Sequence, residues 1–123
     1  MDEVSETATG GSARRAAPAA AFIVTIGDEL TKGEIPDTNA AFIAERLTRL
    51  GIRVDAILSL PDDCGRTAGM LERLLTEDGI YIFTGGLGGT RDDVTRKIVS
   101  RVFGKEFVVD AGAERALESW YGK

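Results

Sequence analysis

The sequence predicts an α/β fold of three layers, in which helices cover both faces of a mainly parallel sheet. Short runs of β-branched and aromatic residues alternate along the chain with stretches whose apolar residues recur at helical spacing. Such alternation implies right-handed crossovers, which place the helices on the two faces of a parallel sheet. With 123 residues and no internal repeat, the chain has the length of a single domain.

Four short apolar runs are the predicted strands, and they cover residues 21–26, 52–58, 79–84 and 105–109. The twenty residues before the first run are mainly Ala, Gly, Ser, Thr and charged residues, with Val4 as the only larger aliphatic side chain after Met1. A segment of this composition cannot bury enough apolar surface to fold. We therefore expect residues 1–20 to be a disordered tail and residues 21–123 to form the domain.

Four amphipathic stretches are the predicted helices. The first covers residues 40–50 and stops at Gly51, and the second begins after Pro61 with Asp62 or Asp63 as its cap. The third helix carries an apolar stripe that ends with Phe103. The stripe of the fourth helix ends with Trp120 and Tyr121. We expect those two aromatic side chains to pack into the core.

The composition excludes several functions. The chain has no histidine, so it cannot use an imidazole base, a Ser-His-Asp triad or an HExxH zinc site. Its 20 acidic residues outnumber its 15 basic ones, which argues against general binding to nucleic acid or to an anionic membrane. The single Cys64 forms no intramolecular disulfide and fits a reducing compartment. No recognisable targeting segment is present, and we expect a cytoplasmic protein.

A glycine-rich loop follows the third predicted strand and reads Thr84-Gly-Gly-Leu-Gly-Gly-Thr-Arg-Asp-Asp93. Glycines permit positive φ and a close approach of the backbone to a bound group. The loop leads into a helix, whose free N–H groups and dipole favour an anion. A phosphate site is therefore the functional interpretation, with Arg91 as a local cation. A tight turn capped by Thr90 and Asp93 is the structural alternative.

Two adjacent carboxylates distinguish this loop from an ordinary turn. Asp92 and Asp93 would repel a phosphate unless a cation lies between them or one of them manages a proton or a water molecule. A capping role needs only one carboxylate. The pair therefore favours a functional site.

A second loop rich in polar residues follows the first predicted strand and runs from Gly27 to Asn39. Ligands of open parallel sheets bind beyond the carboxyl ends of the strands, so this loop is expected near the glycine-rich one. Asp28 and Glu29 are either ligand-site carboxylates or acids of a solvated turn. The run of Asp37, Thr38 and Asn39 is compatible with helix capping and with ligand contact alike.

Taken together, the two loops resemble the molybdopterin-binding domain family, closest to the N-terminal domain of the competence/damage-inducible CinA type. The resemblance rests on Gly27-Asp-Glu-Leu30, Gly33 and Asp37-Thr-Asn39, followed by the stretch from Thr84 to Thr95. It covers residues 21–121 and implies a three-layer α/β fold that binds a nucleotide or pterin phosphate, commonly in a homo-oligomer. The family domain normally continues past a point like Lys123, so we expect this one to be incomplete at its C-terminus.

The resemblance also implies site residues. The ligand and its phosphate would contact backbone and side-chain groups of the two loops, namely Gly27, Asn39, Thr84, Gly85, Gly86, Gly88, Gly89, Thr90 and Thr95. Asp93 matches the important aspartate of the family and is the candidate for holding a divalent metal ion of unknown identity. Asp92, Asp28 and Glu29 are secondary catalytic candidates. Potassium stays open as a second ion.

Three functions follow from these observations. The first is metal-dependent hydrolysis of a nucleotide diphosphate such as ADP-ribose to AMP and ribose 5-phosphate, which Gly86-Leu87-Gly88 favours. The second is molybdopterin binding or adenylyl transfer in molybdenum cofactor biosynthesis. The third is a fragment that binds nucleotide without turnover.

Overall fold

The computed structural model describes residues 19–75, 78–88 and 94–122. In chain order they form β1 (Ala21–Ile26), α1 (Asp28–Thr31), α2 (Thr38–Arg49), β2 (Val54–Leu60), α3 (Cys64–Leu74), β3 (Ile80–Thr84), α4 (Thr95–Phe103) and α5 (Ala111–Tyr121). The predicted tail lies outside the described residues up to position 18. Ala20 is buried, and its carbonyl accepts a hydrogen bond from the Ile80 amide at 2.9 Å.

The three strands form one parallel sheet in the order β2-β1-β3. Val24 and Ile26 of the central strand β1 join Leu60, Leu71 and Ile98 in a buried core, which places α3 and α4 on this face of the sheet. The opposite face carries Ser59, which contacts the start of α2. The predicted three-layer α/β/α class is confirmed.

The helix boundaries follow local capping chemistry. Asp37 caps α2 by accepting from the Ala40 amide, and Asp63 caps α3 by accepting from the Arg66 amide. Gly51 has a φ of 78° and follows the last turn of α2, as its expected C′ role requires. The four-residue α1 is absent from the sequence prediction, because no side-chain cap marks its start.

The predicted fourth strand at residues 105–109 is wrong. These residues form neither helix nor strand, and the Lys105 amide donates back to the Ser100 carbonyl at the end of α4. Val108 and Val109 are 85% and 79% exposed. A strand needs a neighbour for its backbone groups, and within the described ranges no strand pairs with this run.

The expected packing of Trp120 and Tyr121 is also wrong, because they are 82% and 83% exposed. Helix α5 forms as predicted, with Asp110 as its cap, but all of its residues are exposed. Helical spacing places apolar side chains on one face of a helix, whereas burial requires another element against that face. In the part of the chain that the structure describes, no helix is long and apolar enough to cross a bilayer.

Shortening one core side chain should cause a modest loss of stability. Ile98 of α4 is fully buried against the sheet. We expect Ile98→Val to lower the free energy of unfolding by about 1 kcal/mol in urea denaturation, because the removed methylene leaves a small cavity. Val108→Ala is the control and should change it by less than about 0.5 kcal/mol, since Val108 is exposed. Equal losses for the two variants would contradict this packing.

Candidate functional site

The two predicted loops emerge at the same edge of the sheet. β1 and β3 are adjacent and parallel, with Thr25 paired to Thr84, so both strands end side by side. Gly27 follows β1 and Gly85 follows β3. The sequence-based expectation that these loops lie close together therefore holds for their described parts.

Gly85 and Gly86 occupy positions that only glycine fits. Their φ angles are 83° and 54°, in the left-handed region that residues with a Cβ atom rarely adopt. A Cβ atom on Gly85 would lie 2.2 Å from the Ile26 carbonyl oxygen, and one on Gly86 would lie 2.6 Å from Thr95 Oγ1. Two of the four loop glycines thus allow the backbone to pass directly over the end of β1.

Thr95 fastens the start of α4 to this turn. Its hydroxyl donates to the Gly85 carbonyl at 2.5 Å, and its amide donates to the Gly86 carbonyl at 3.3 Å. The residue is 1% exposed. Thr95 was predicted to support a phosphate, and in the structure its hydroxyl positions the glycine turn beside the N-terminus of α4.

This contact predicts a stability difference between two substitutions of Thr95. Thr95→Val keeps the shape of the side chain but removes the donor to the Gly85 carbonyl, so we expect a loss of about 1–2 kcal/mol in urea denaturation. Thr95→Ser keeps the donor and should retain most of that stability. The assignment fails if the valine variant is as stable as the serine variant.

The acidic pair of the first loop separates in space. The Asp28 carboxylate accepts a hydrogen bond from the Asp62 amide at 2.9 Å and so joins this loop to the connection between β2 and α3. The Glu29 carboxylate instead lies over Gly27, where an added Cβ atom would be 2.5 Å from Glu29 Oε1. Asp28 therefore has a structural partner, while Glu29 stands at the side of the loop that faces Gly85.

A small polar pocket lies between the two loops. Its volume is about 100 Å³, and its lining includes Thr25, Glu29, Asp37, Thr38, Asn39 and Gly85. Asp37 has a defined structural role there, because one carboxylate oxygen accepts from the Ala40 amide and the other from Ser59 Oγ at 2.9 Å. Helix capping is thus the observed role of Asp37, and Thr38 and Asn39 begin the helix that it caps.

A larger apolar groove of about 390 Å³ lies beside Thr95. Its apolar lining residues are Phe83, Leu87, Val99 and Phe107, and Arg96 and Lys105 lie beside them. This groove was not predicted, because its residues come from β3, the glycine-rich loop, α4 and the segment after α4. The available signals were the apolar Leu87 among the loop glycines and Phe107.

The structure brings together only some of the predicted site residues. The ends of β1 and β3 are surrounded by seven of them, namely Gly27, Glu29, Asn39, Thr84, Gly85, Gly86 and Thr95. Gly88 is exposed further along the loop. Gly89, Thr90, Asp92 and Asp93 lie outside the described residues, as does Arg91. Thr25 was not predicted as a site residue, although a threonine among the apolar residues of β1 was the available signal.

The described residues alone do not form a metal site. Among residues 19–75, 78–88 and 94–122, no three Cys, Asp or Glu side chains converge on one point. Of the described acidic residues, Glu29 and Asp37 line the pocket together with Gly85, and Asp37 already accepts two hydrogen bonds. A divalent ion in this region would therefore need a further carboxylate, for which Asp92 and Asp93 are the sequence candidates.

Comparison with protein families gives one match that covers most of the chain. Residues 22–123 match the family described as "Probable molybdopterin binding domain". A CinA-like protein of Citrifermentans bemidjiense is 43% identical over 96 residues, which are 78% of this chain and 23% of that protein. A CinA-like protein of Geobacter metallireducens is 42% identical over 99 residues, which are 80% of this chain and 24% of that protein. The chain thus spans about a quarter of the length of these curated relatives.

Solved structures agree with the fold. A CinA protein of unknown function from Thermoplasma acidophilum is similar with a TM-score of 0.73 and 30% identity, over 86% of this chain and 63% of that one. A molybdopterin biosynthesis protein from Mycobacterium abscessus is similar with a TM-score of 0.55 and 22% identity, over 66% of this chain and 52% of that one. The second likeness concerns the fold alone.

Proposed function

This chain belongs to the molybdopterin binding domain family, in the form found in CinA-like proteins, and on that premise we propose that it hydrolyses nucleotide diphosphates such as ADP-ribose. The observation that carries the proposal is the glycine turn at Gly85 and Gly86. This turn holds bare backbone at the N-terminus of α4, beside a pocket with carboxylate groups.

The turn and the helix support binding of a phosphate group. Helix α4 has nine residues; the Thr95 amide donates to the Gly86 carbonyl, while the amides of Arg96 and Lys97 lack partners within the helix. Their partial positive charge favours an anion near Gly85 and Gly86. Thr95 fixes the distance between the turn and the helix, so the donors are oriented before the ligand arrives. The loop residues Gly88, Gly89 and Thr90 would extend the same site.

The proposed reaction splits the diphosphate with water. The oxygen of a water molecule attacks one phosphorus atom in line with the bridging oxygen, the bond to that oxygen breaks, and AMP and ribose 5-phosphate leave. A carboxylate takes the proton of the attacking water, and Asp92 and Glu29 are the candidates for this role. Backbone amides of the glycine turn stabilise the charge that develops on the phosphoryl oxygens.

The proposal includes a divalent metal ion, which Asp93 would hold. Such an ion offsets phosphate charge and lowers the pKa of the attacking water when it is bound. Glu29 lies over Gly27 and lines the same pocket as Gly85. Asp28 is the weakest of the sequence candidates, because its carboxylate already accepts from the Asp62 amide.

Molybdopterin binding is the second candidate function. The description of the family favours it, and the apolar groove beside Thr95 has room for a flat ring system at about 390 Å³. In this reading the glycine turn holds the phosphate of the pterin, and ADP-ribose is not hydrolysed.

Ligand-induced stabilisation separates these functions without the need for turnover. We expect the α,β-methylene analogue of ADP-ribose, which cannot be hydrolysed, to raise the Tm of the protein in the presence of Mg²⁺. At 100 times the Kd, binding adds about 2.7 kcal/mol to the stability of the folded state. A shift with molybdopterin and none with the analogue would favour the second function. No shift with either compound would contradict both.

A further inference from the structure

Three hydroxyl-bearing residues form a row across the sheet. Thr25 of the central strand is in register with Ser59 of β2 and with Thr84 of β3. Side chains in register on parallel strands point to the same face, here the face that carries α2. This hydroxyl row lies one residue before the end of β1, directly below the two loops of the candidate site.

The middle hydroxyl of the row has no partner. Thr25 is 4% exposed, and its Oγ1 is buried without a hydrogen bond within the described part of the chain. Ser59, in contrast, donates to Asp37. A buried hydroxyl without a partner destabilises a protein, and valine would fill the same space without that cost. Because the described residues leave this hydroxyl without a partner, its position points to a bound group.

Thr25 lines the polar pocket between the loops, and the pocket indicates what that group is. Its volume of about 100 Å³ suits a small polar moiety, since a water molecule takes up roughly 30 Å³ of liquid. Its lining contributes the carboxylates of Glu29 and Asp37, and none of the described lining residues is Lys or Arg. Such a pocket repels a phosphate and accepts hydrogen bonds from a neutral donor.

We propose that this pocket binds the hydroxyl groups of a ribose, with Thr25 Oγ1 and the Glu29 carboxylate as their partners. The inference rests on the proposed function, because it assigns the sugar to the pocket and the diphosphate to the adjoining turn at Gly85 and Gly86. A directly bound cation fits less well, since both oxygens of Asp37 are already engaged. Thr25 thus acts as a specificity-determining residue for the sugar.

Calorimetric titration of two Thr25 variants tests the assignment. The probes are α,β-methylene ADP-ribose, which carries two sugars, and methylenediphosphonate, which carries none, both with Mg²⁺. We expect Thr25→Val to weaken binding of the first probe about tenfold, the equivalent of one hydrogen bond. Binding of methylenediphosphonate should be unchanged. Thr25→Ser retains the hydroxyl and should bind both probes within about twofold of the wild type.

Thermal unfolding provides the structural control. Thr25→Val removes an unpartnered hydroxyl, so its Tm without ligand should equal or exceed that of the wild type. A large drop in Tm would mean that the hydroxyl serves the fold, and it would overturn the inference. The inference is also wrong if Thr25→Val weakens binding of both probes equally, or weakens binding of neither probe.

The controls separate the inference from the proposed function. If the wild type binds the sugar-bearing probe and the valine variant binds it equally well, the sugar assignment alone fails. If the wild type binds neither probe, the proposed function fails together with the inference. Titration with Mg²⁺ alone completes the test, because binding that is lost in Thr25→Val would make the pocket a cation site instead.

Discussion

We expect Gly85→Ala to lower the free energy of unfolding by roughly 3 kcal/mol or more, a large fraction of the stability of a small domain. The added Cβ atom would lie 2.2 Å from the carbonyl oxygen of Ile26. Ile26 belongs to the buried central strand, so this oxygen cannot move away without disturbing the core. The φ of 83° adds backbone strain to the collision. Urea denaturation followed by circular dichroism measures the loss.

Gly51→Ala is the matched control for this prediction. Gly51 has a similar φ of 78°, but a Cβ atom there would have no neighbour within 4 Å. Backbone strain alone should cost about 1 kcal/mol at that position. The difference between the two variants therefore measures the close approach of Gly85 to β1. If both variants lose the same stability, the packing of the glycine turn over Ile26 is incorrect.

We expect Asp93→Asn to reduce hydrolysis of ADP-ribose about a hundredfold or more while the protein stays folded. An amide has nearly the shape of a carboxylate, but it neither accepts a proton at neutral pH nor offsets the charge of a metal ion. Loss of a general base or of a metal-holding group has an effect of this size. The measurement is the rate of AMP release at saturating ADP-ribose, compared with the wild type.

Asp110→Asn is the control for the loss of one carboxylate. Asp110 caps α5 by accepting from the Ala113 amide, far along the chain from both loops, and asparagine caps helices equally well. This variant should release AMP at the wild-type rate. Activity of Asp93→Asn within about threefold of the control would remove Asp93 from the proposed mechanism.

Periodicity within the sequence predicted the three paired strands and the amphipathic helices, but not which apolar residues lie against a neighbouring element. The apolar runs that became β1, β2 and β3 pair with one another, and Leu71 and Ile98 of the predicted helical stripes are buried in the core. Residues 105–109 and helix α5 have equally apolar patterns. Strand formation and burial depend on a neighbouring element, which a local pattern does not contain.

The candidate site was predictable in its location and less so in its contacts. Parallel topology places the ends of β1 and β3 together, and this brought Glu29, Asn39 and Gly85 to one pocket. The hydrogen bond from the Asp62 amide to the Asp28 carboxylate joins residues 34 positions apart. It depends on how the connection after β2 folds back, which the local sequence does not reveal. The role of Thr25 depends on its burial, which a single threonine in a strand does not reveal.

AMP release from ADP-ribose by the purified wild-type chain, measured with Mg²⁺ and with a metal chelator, tests the proposed hydrolysis directly. We expect equal amounts of AMP and ribose 5-phosphate with Mg²⁺, and only background amounts with the chelator. A folded protein that binds the methylene analogue and yet releases no AMP with Mg²⁺, Mn²⁺ or added potassium would contradict the proposed hydrolysis, and would leave ligand binding as the function of these residues.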